Sequence, residues 1–504
     1  MPFDLDAVRA QFPALAIKDN GRRRIYFDNP AGTQVPASVA KAMSDCLLAA
    51  NANQGGYFAS SIAADKIVES AREAMADLVN APSSSEIIFG QNMTTITLHL
   101  SRSIGRLFDA GDEIILSRMD HDANVWPWVL MARDLNLEVK WLPFSPDTFE
   151  FDLNELDNLL TERTRLVCVG GASNLTGTIN DVSSICAKAR AAGALTFIDG
   201  VQSVPHVMTD VQAIGCDFLA CSPYKFFGPH QGVLWGRRDV LEQLEPYKVR
   251  PAPAEAPGCF ETGTQSHEGF AGIKAAVDYF EWIGTTMAGA AGGREALRAA
   301  MGLLFDYEKT LATHLIEGLT AIDGITVQGI SAADAMDRRV PTVAFTHATA
   351  EPAPIAESLA QQNIFVWSGH NYAIEVAKTL GIYESGGAVR TMMSVGSSLL
   401  IVVGLFLGVA WCYRRSLGSS ISGALPKHVV NVLGRTPLAT RQQLVLVRFG
   451  SKLVLVSLVQ GEARTISEIT DPIEVDRLAG LCESQQPGSV TQSFRTVLSQ
   501  GTAS

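Results

Sequence analysis

The 504-residue sequence has no Cys-x-x-Cys pair among its eight cysteines, and none of the eight lies between Cys259 and Cys412. The first absence removes the common dithiol and zinc motifs. The cysteines sit mostly in apolar runs such as "LVCVGG" and "GCDFLACSPY", the setting of buried reduced thiols rather than of a disulfide framework. Basic excess is also missing: a net charge of −12 argues against nucleic acid as a partner. The opening "MPFDLDAVRAQFPAL" carries early acids and no long apolar stretch, so no secretory signal is expected and the first part is expected in the cytosol. No internal repeat is found. One more absence is local. Residues 391–413 hold no charged side chain, a run of 23, and about 20 apolar helical residues cross a ~30 Å hydrocarbon core. The run ends in Trp411 and Tyr413 and is followed by Arg414 and Arg415, so one transmembrane helix is expected over 391–413.

Charge divides the chain around that run. Residues from Gly396 to Ser504 carry a net +4, and the rest carry −16. Such asymmetry points to two parts in different surroundings. Up to about residue 240, short apolar runs alternate with helical patterns. "EIIFG" (86–90), "EIILS" (113–117), "LEVKWLP" (137–143), "RLVCVGGAS" (165–173), "LTFIDG" (195–200), "FLACSP" (218–223) and "GVLWGR" (232–237) read as strands. Continuous apolar strands between helices imply an α/β fold with a large, mostly parallel sheet covered on both faces. The chain is then irregular and helical to about 300. Residues 301–390 mix a long helix with strands such as "ITVQG" and "TVAFTH", a smaller α+β domain.

In a parallel sheet, ligands gather at the carboxyl ends of the strands. Asp199 ends one strand there and Lys225 follows another. A lysine in that place can form a Schiff base, and an aspartate nearby can keep a pyridine nitrogen protonated, the pair of tasks that pyridoxal phosphate requires. One Asp and one Lys are weak evidence by themselves, but they have company. "FGQNMTTITLHL" sets Thr94 and Thr95 where a helix opens after a strand, an anion site for a phosphate. "SRMDHDANVWPW" presents His121 after the next strand, where a flat ring can stack on a cofactor, and "GGASNLTGTIND" places Asn174 at a third strand end, with Gly177 allowing a turn.

From "IYFDNPAGTQVP" (25–36) through "SNLTGTINDV", "IDGVQSVPH" and "SPYKFFGPHQGVLWG" to "GGAVR" (386–390), the sequence resembles the cysteine desulfurase/selenocysteine lyase group of the class V aminotransferases. The resemblance implies a pyridoxal phosphate (PLP)-dependent transferase of fold type I acting on a small amino acid. Residues 1–390 would be the enzyme domain, with 1–24 and 265–390 in its small domain. Lys225 would hold the cofactor as a Schiff base and move protons at the substrate α-carbon. Asp199 would pair with the pyridinium and His121 would stack on the ring. Asn174 and Gln202 would lie near the ring hydroxyl and the substrate carboxylate, while Thr94, Thr95 and Ser222 would grip the phosphate. "ETGTQSHEG" resembles the segment that lends a threonine, here Thr264, to the partner subunit's phosphate site, so a homodimer is expected. Arg390 would fork onto the substrate carboxylate, a task that suits its planar guanidinium. No metal is implied.

Two departures from the family stand out. The family's catalytic cysteine lies on a loop that reads here "VWSGHNYAIEVA", with Tyr372 at the aligned position. Persulfide chemistry needs a thiol, so lyase, epimerase or transamination chemistry is left open. His370 on that loop reads equally as an acid/base or as a structural histidine. Second, the apolar run starts directly after Arg390, so the small domain is expected to be truncated. It would lack its last strand and helix, leaving an exposed edge, an uncovered face and a blurred Arg390.

Residues 393–477 resemble FliO-type flagellar biosynthesis proteins in "LATRQQLVLVRFG" and "KLVLVSL". This implies one membrane span and a small β-rich cytoplasmic domain over 414–482, with strands split at Phe449-Gly450-Ser451 and Gln460-Gly461, and flagellar export-gate proteins as partners. The Ser-, Gln- and Thr-rich tail 483–504 is expected to be disordered. Arg414, Arg415, Lys427 and Arg435 follow the span, which puts the C-terminal side in the cytoplasm and, with one crossing, the enzyme outside. That conflicts with a cytosolic PLP enzyme. Three readings follow: an enzyme fused to an export-gate module, a membrane assembly protein with an inactive passenger enzyme, and an unnatural join of two genes.

Overall fold

The computed structural model describes residues 4–393, 430–439, 442–449, 451–459 and 462–484. It divides into two compact units, residues 1–417 and 418–504. In the first unit a seven-stranded sheet holds β1 (Ile87–Gly90), β2 (Glu113–Ser117), β3 (Glu138–Leu142), β4 (Thr164–Gly170), β5 (Leu195–Asp199), β6 (Phe218–Cys221) and β7 (Gly232–Gly236). Their spatial order is β1-β7-β6-β5-β4-β2-β3, and β7 alone runs antiparallel to its neighbours. All seven expected strands are present within a few residues of their expected ends.

Both faces of this sheet are buried, which explains the unbroken apolar runs. Side chains alternate along a strand, so Ile115, Val167, Val169, Ile198 and Leu219 enter one core while Ile114, Leu116, Leu166, Phe197 and Phe218 enter another. The first core also takes Val8 and Phe12 and the helix His267–Ala288. It extends along the next helix, Gly293–Thr320, as far as Leu304. Val8, Phe12 and the segment from 267 to 304 thus pack on the large domain rather than in the small domain assigned to them from sequence, while the Asp19 and Arg22 carbonyls accept from Asn363.

The small domain has its own four-stranded antiparallel sheet: β8 (Ile325–Gln328), β9 (Thr342–His347), β10 (Trp367–Gly369) and β11 (Ala388–Met392), in the order β8-β9-β11-β10. One face packs on Leu311, Leu315 and Leu319 of the long helix and on Ile355 and Leu359 of helix Pro352–Ala360. Val389 and Met393 point into that core. Ala388 points the other way, toward Met119 and Leu175, and by strand alternation so does Arg390.

The strand half of the expected truncation is corrected here, while the closing helix would fall outside the described residues. β11 is an interior strand, paired on both sides, with Val343↔Thr391 and Thr342↔Met392 beyond the arginine. The Met392 N–H donates to the Phe27 carbonyl at 2.9 Å, and Asn29 donates to the Met392 carbonyl at 3.1 Å. Residues 391–393 therefore belong to the enzyme fold rather than to a membrane helix. The rest of the expected span, 394–413, lies outside the described residues. Among the described residues no helix is long and apolar enough to cross a membrane.

The second unit is an antiparallel meander of β12 (Val430–Ala439), β13 (Gln442–Phe449), β14 (Lys452–Val459) and β15 (Glu462–Ile469). The strands part where turns were expected. A helix, Pro472–Ser484, adds Val475 and Ala479 to a core with Leu433 and Leu453, an element the β-rich reading did not include. The expected disordered tail beyond Ser484 lies outside the described residues.

Candidate active site

The carboxyl ends of β1, β2, β4, β5 and β6 open onto one cavity of about 370 Å³, whose other wall comes from the small domain. Each strand end delivers a polar group because the chain must turn there before its next helix. Asn92, after β1, caps the helix Met93–Ile104 by accepting from the Thr95 N–H at 2.9 Å, and Thr94 faces the cavity. Thr95 does not: its hydroxyl turns back onto the Asn92 side chain at 3.0 Å, outside the cavity lining. One residue of helix rotation separates them by about 100°. Thr264 is exposed and also lies away from the cavity of its own chain.

His121 follows β2. Its Nδ1 accepts from the Ala123 N–H at 3.0 Å, which leaves the ring proton on Nε2 in the neutral form. Burial, with Lys225 and Arg390 nearby, pushes its pKa down to about 3, so the ring is neutral at physiological pH. Asp199 ends β5 and accepts from the Val201 N–H at 2.8 Å. Burial raises its pKa to about 6, against the pull of that hydrogen bond and of Lys225. Lys225 closes the short turn Pro223–Lys225 after β6, with its Nζ 4.7 Å from the centre of the Tyr224 ring. Its pKa falls to about 7, chiefly through burial and then through Arg390, with Asp199 opposing. Ser222 and Gln202 line the same cavity.

Arg390 enters from β11. Its Nη1 donates to the Asn174 carbonyl at 3.0 Å, and the Asn174 side chain donates to the Asn371 carbonyl at 2.8 Å. One asparagine thus joins the large domain, the arginine strand and the loop after β10. Gly177 makes this junction possible: at φ 77°, a Cβ there would lie 2.5 Å from the Thr342 carbonyl. The placement of Arg390 is fixed rather than blurred, since it is buried and its strand is paired on both sides.

The cavity has groups that the sequence reading did not single out. Asp120 is buried beside His121. It accepts from the Ser117 hydroxyl (2.5 Å), the Gly170 N–H (2.8 Å) and the Asn124 amide (2.7 Å), and burial raises its pKa to about 7. It sits in a string already noted for His121, but nothing in the string signals the burial. Trp367, likewise not singled out, stands at the mouth together with Tyr372, the residue aligned with the family's cysteine. No described cysteine lines the cavity.

The donor set fits PLP. Asn174 Oδ1 and Arg390 Nε are buried, lack partners within the described structure, and belong to residues lining the cavity. Such groups call for a polar occupant. A neutral flat ring, an aspartate, a lysine of lowered pKa and hydroxyls at a helix start are the remaining requirements.

The comparisons agree with this geometry. The family model for aminotransferase class-V matches residues 25–397, and that for the flagellar biosynthesis protein FliO matches 411–502. A cysteine desulfurase of Pectobacterium atrosepticum is 33% identical over 397 residues, covering 76% of this chain and 92% of the relative. One from Yersinia pestis is 32% identical over 410 residues, covering 78% and 95%. The solved apo cysteine desulfurase of Thermococcus onnurineus NA1 aligns with a TM-score of 0.73 at 26% identity, covering 82% of this chain and 99% of its own. The cysteine desulfurase CsdA of Escherichia coli aligns with a TM-score of 0.70 at 26% identity and the same coverage. The chain belongs to the aminotransferase class-V family of PLP-dependent enzymes and carries a FliO-like region after the enzyme domain.

Proposed function

We propose that the first unit is an enzyme working at the α-carbon of an amino acid, with lyase, aminotransferase or epimerase chemistry rather than sulfur transfer through a loop thiol. The observation that carries this reading is the meeting of Lys225, Asp199 and Arg390 in one cavity that no described cysteine lines. Cys221, the cysteine closest in sequence to Lys225, is fully buried, and burial pushes its thiol far above the usual range.

The residues divide the work. Arg390 binds and orients the substrate carboxylate. Lys225, poised near neutrality, takes and returns the α-proton, as a base of matched pKa should. Asp199 holds a proton at the cofactor ring nitrogen, and PLP when bound supplies the electron sink. His121 offers a neutral ring face, while Thr94 and Ser222 hold the phosphate. A second copy of the chain would bring Thr264 to that phosphate, which its exposed position in the 262–265 loop supports.

The FliO-like match and the uncharged run 394–413 support membrane attachment and a partner in the flagellar export gate. The full-length chain, loaded with PLP and reduced with borohydride, should carry the cofactor mass on the Lys225 peptide. Amino acids should then be surveyed for ammonia, keto-acid, inverted amino-acid and sulfide products. A colourless chain with no label at Lys225 would leave the passenger reading. Sulfide from cysteine at a rate matching the relatives would refute the exclusion of sulfur transfer. An antibody against residues 430–480 should detect one membrane band near 54.0 kDa, and a small band alone would mean two separate proteins.

A further inference from the structure

The cavity mouth is aromatic. Trp367 is the cross-strand partner of Arg390, so its indole stands on the same face of the sheet, one strand spacing from the guanidinium. Tyr372 lies five residues on. Its ring stacks on His121 with centroids 5.3 Å apart and planes 18° from parallel. Two left-handed residues, Asn371 and Tyr372 at φ 54° and 57°, turn the loop back to make that contact. The turn is clamped from the large domain: the Asp122 N–H donates to the Tyr372 carbonyl at 2.7 Å, and Asn174 holds the Asn371 carbonyl.

Both rings remain open to solvent, Trp367 at 49% and Tyr372 at 66% exposure, although both line the cavity. Between them the loop 368–371 offers Ser368, Gly369, His370 and Asn371. Of these only His370 can carry charge, and its Nδ1 already accepts from the Tyr372 N–H at 3.1 Å. Deeper in the cavity, Arg390 and Lys225 are committed to the carboxylate and the cofactor, and Asp120 accepts three internal hydrogen bonds. Among the described residues of one chain, the lining thus supplies no Lys or Arg besides Lys225 and Arg390 and no Asp or Glu besides Asp120 and Asp199. It offers two exposed aromatic rings, Trp367 beside the carboxylate anchor and Tyr372 on His121.

We propose that Trp367 and Tyr372 form the side-chain subsite and select an α-amino acid with an aromatic or bulky apolar side chain. The proposal rests on the amino-acid reading above and names its substrate class. A bound aromatic side chain covers ring surface that is otherwise wet, and it gains ring–ring contact with Tyr372 or Trp367.

The test uses the full-length PLP-loaded chain in detergent. Apparent dissociation constants for phenylalanine, leucine, alanine, cysteine, aspartate and lysine are read from the cofactor absorbance change and, independently, by calorimetry. Phenylalanine and leucine should bind at least about tenfold tighter than alanine, the ratio that ~1.4 kcal/mol of added contact produces. Aspartate and lysine should bind no better than alanine. Tyr372→Ala and Trp367→Ala should each reduce the phenylalanine-to-alanine ratio severalfold, and Tyr372→Phe should restore it. An unchanged ratio in both alanine variants, or a wild-type preference for alanine, cysteine or aspartate, overturns the proposal. If a variant does not fold, the wild-type series alone decides. If no amino acid perturbs the cofactor although Lys225 is labelled, the amino-acid reading itself has failed.

Discussion

Lys225 should titrate near neutrality once the cofactor is stripped from the chain. Burial removes water from its ammonium, and Arg390 adds a second cation to the same cavity, so the pKa falls from 10.5 to about 7 against the opposing pull of Asp199. At pH 7 about half of the side chain is then neutral amine, roughly three orders of magnitude more than for an ordinary lysine. The assay is trace acylation of the stripped full-length chain across pH, with the label on the Lys225 peptide quantified by mass spectrometry against exposed lysines such as Lys41. The midpoint should lie near 7. Arg390→Gln removes a depressing charge and should raise the midpoint. Asp199→Asn removes the opposing one and should lower it. The same shift has a stability consequence. The unfolded chain holds this proton up to about 10.5 and the folded chain releases it above about 7, so the stripped protein gains stability as pH rises through that window. A midpoint in the ordinary lysine range, or two variants shifting in the same direction, would refute the reasoning.

Asp199 has its folded pKa raised to about 6, so it is protonated below that value and cannot hold a ring-nitrogen proton by charge. PLP affinity, followed by absorbance, should fall as pH drops through about 6, and Asp199→Asn should be weak and flat across the same range. Thr94→Val should weaken cofactor binding while Thr95→Val leaves it within about twofold, since the Thr95 hydroxyl bonds the Asn92 side chain rather than facing the cavity, and the backbone N–H that Asn92 caps is kept. Equal loss in both threonine variants would put the phosphate elsewhere. Arg390→Lys forfeits the two-pronged grip on a carboxylate and should raise KM roughly 30-fold, equivalent to ~2 kcal/mol, with a smaller change in kcat. A kcat loss at unchanged KM would assign Arg390 to chemistry instead.

The large sheet was legible because its strands are buried on both faces and flanked by turn residues, so pattern and burial agree. The site was legible for a related reason: Asp199, Lys225, His121 and Asn174 each follow a strand end, where an α/β fold must expose polar groups. What stayed hidden depends on tertiary detail. The choice between Thr94 and Thr95 is one residue of helix phase. The burial of Asp120 comes from three donors, two of which are near in sequence while the Gly170 N–H comes from another strand. The pairing of Trp367 with Arg390 joins residues 23 positions apart through a register that neither strand's composition specifies. The antiparallel β7 reads from sequence like any other buried strand, because apolar content carries no direction.

The boundary between the two parts was misread for a physical reason. Thr391, Met392 and Met393 are uncharged whether they face lipid or a protein core, so a charge-free run cannot mark where a domain stops. Hydrogen bonding can. Ending the fold at Arg390 would remove the N–H that the Phe27 carbonyl accepts, the carbonyl that Asn29 donates to, and the last two register pairs with β9. Each buried polar group deprived of its partner costs about 1–3 kcal/mol, enough in sum to loosen the strand that carries the guanidinium. The enzyme unit keeps all of these and reaches Met393. Residues 394–413 then remain as an uncharged run of 20, still a membrane length. The FliO match begins at 411, after the aminotransferase match has ended at 397, so the two matches do not overlap. The missing closing segment and the topology conflict were the grounds for an unnatural join. With β11 complete and Arg390 bonded to the Asn174 carbonyl, the strand half of the first ground is gone, the topology conflict stands, and the passenger reading depends on the chemistry at Lys225.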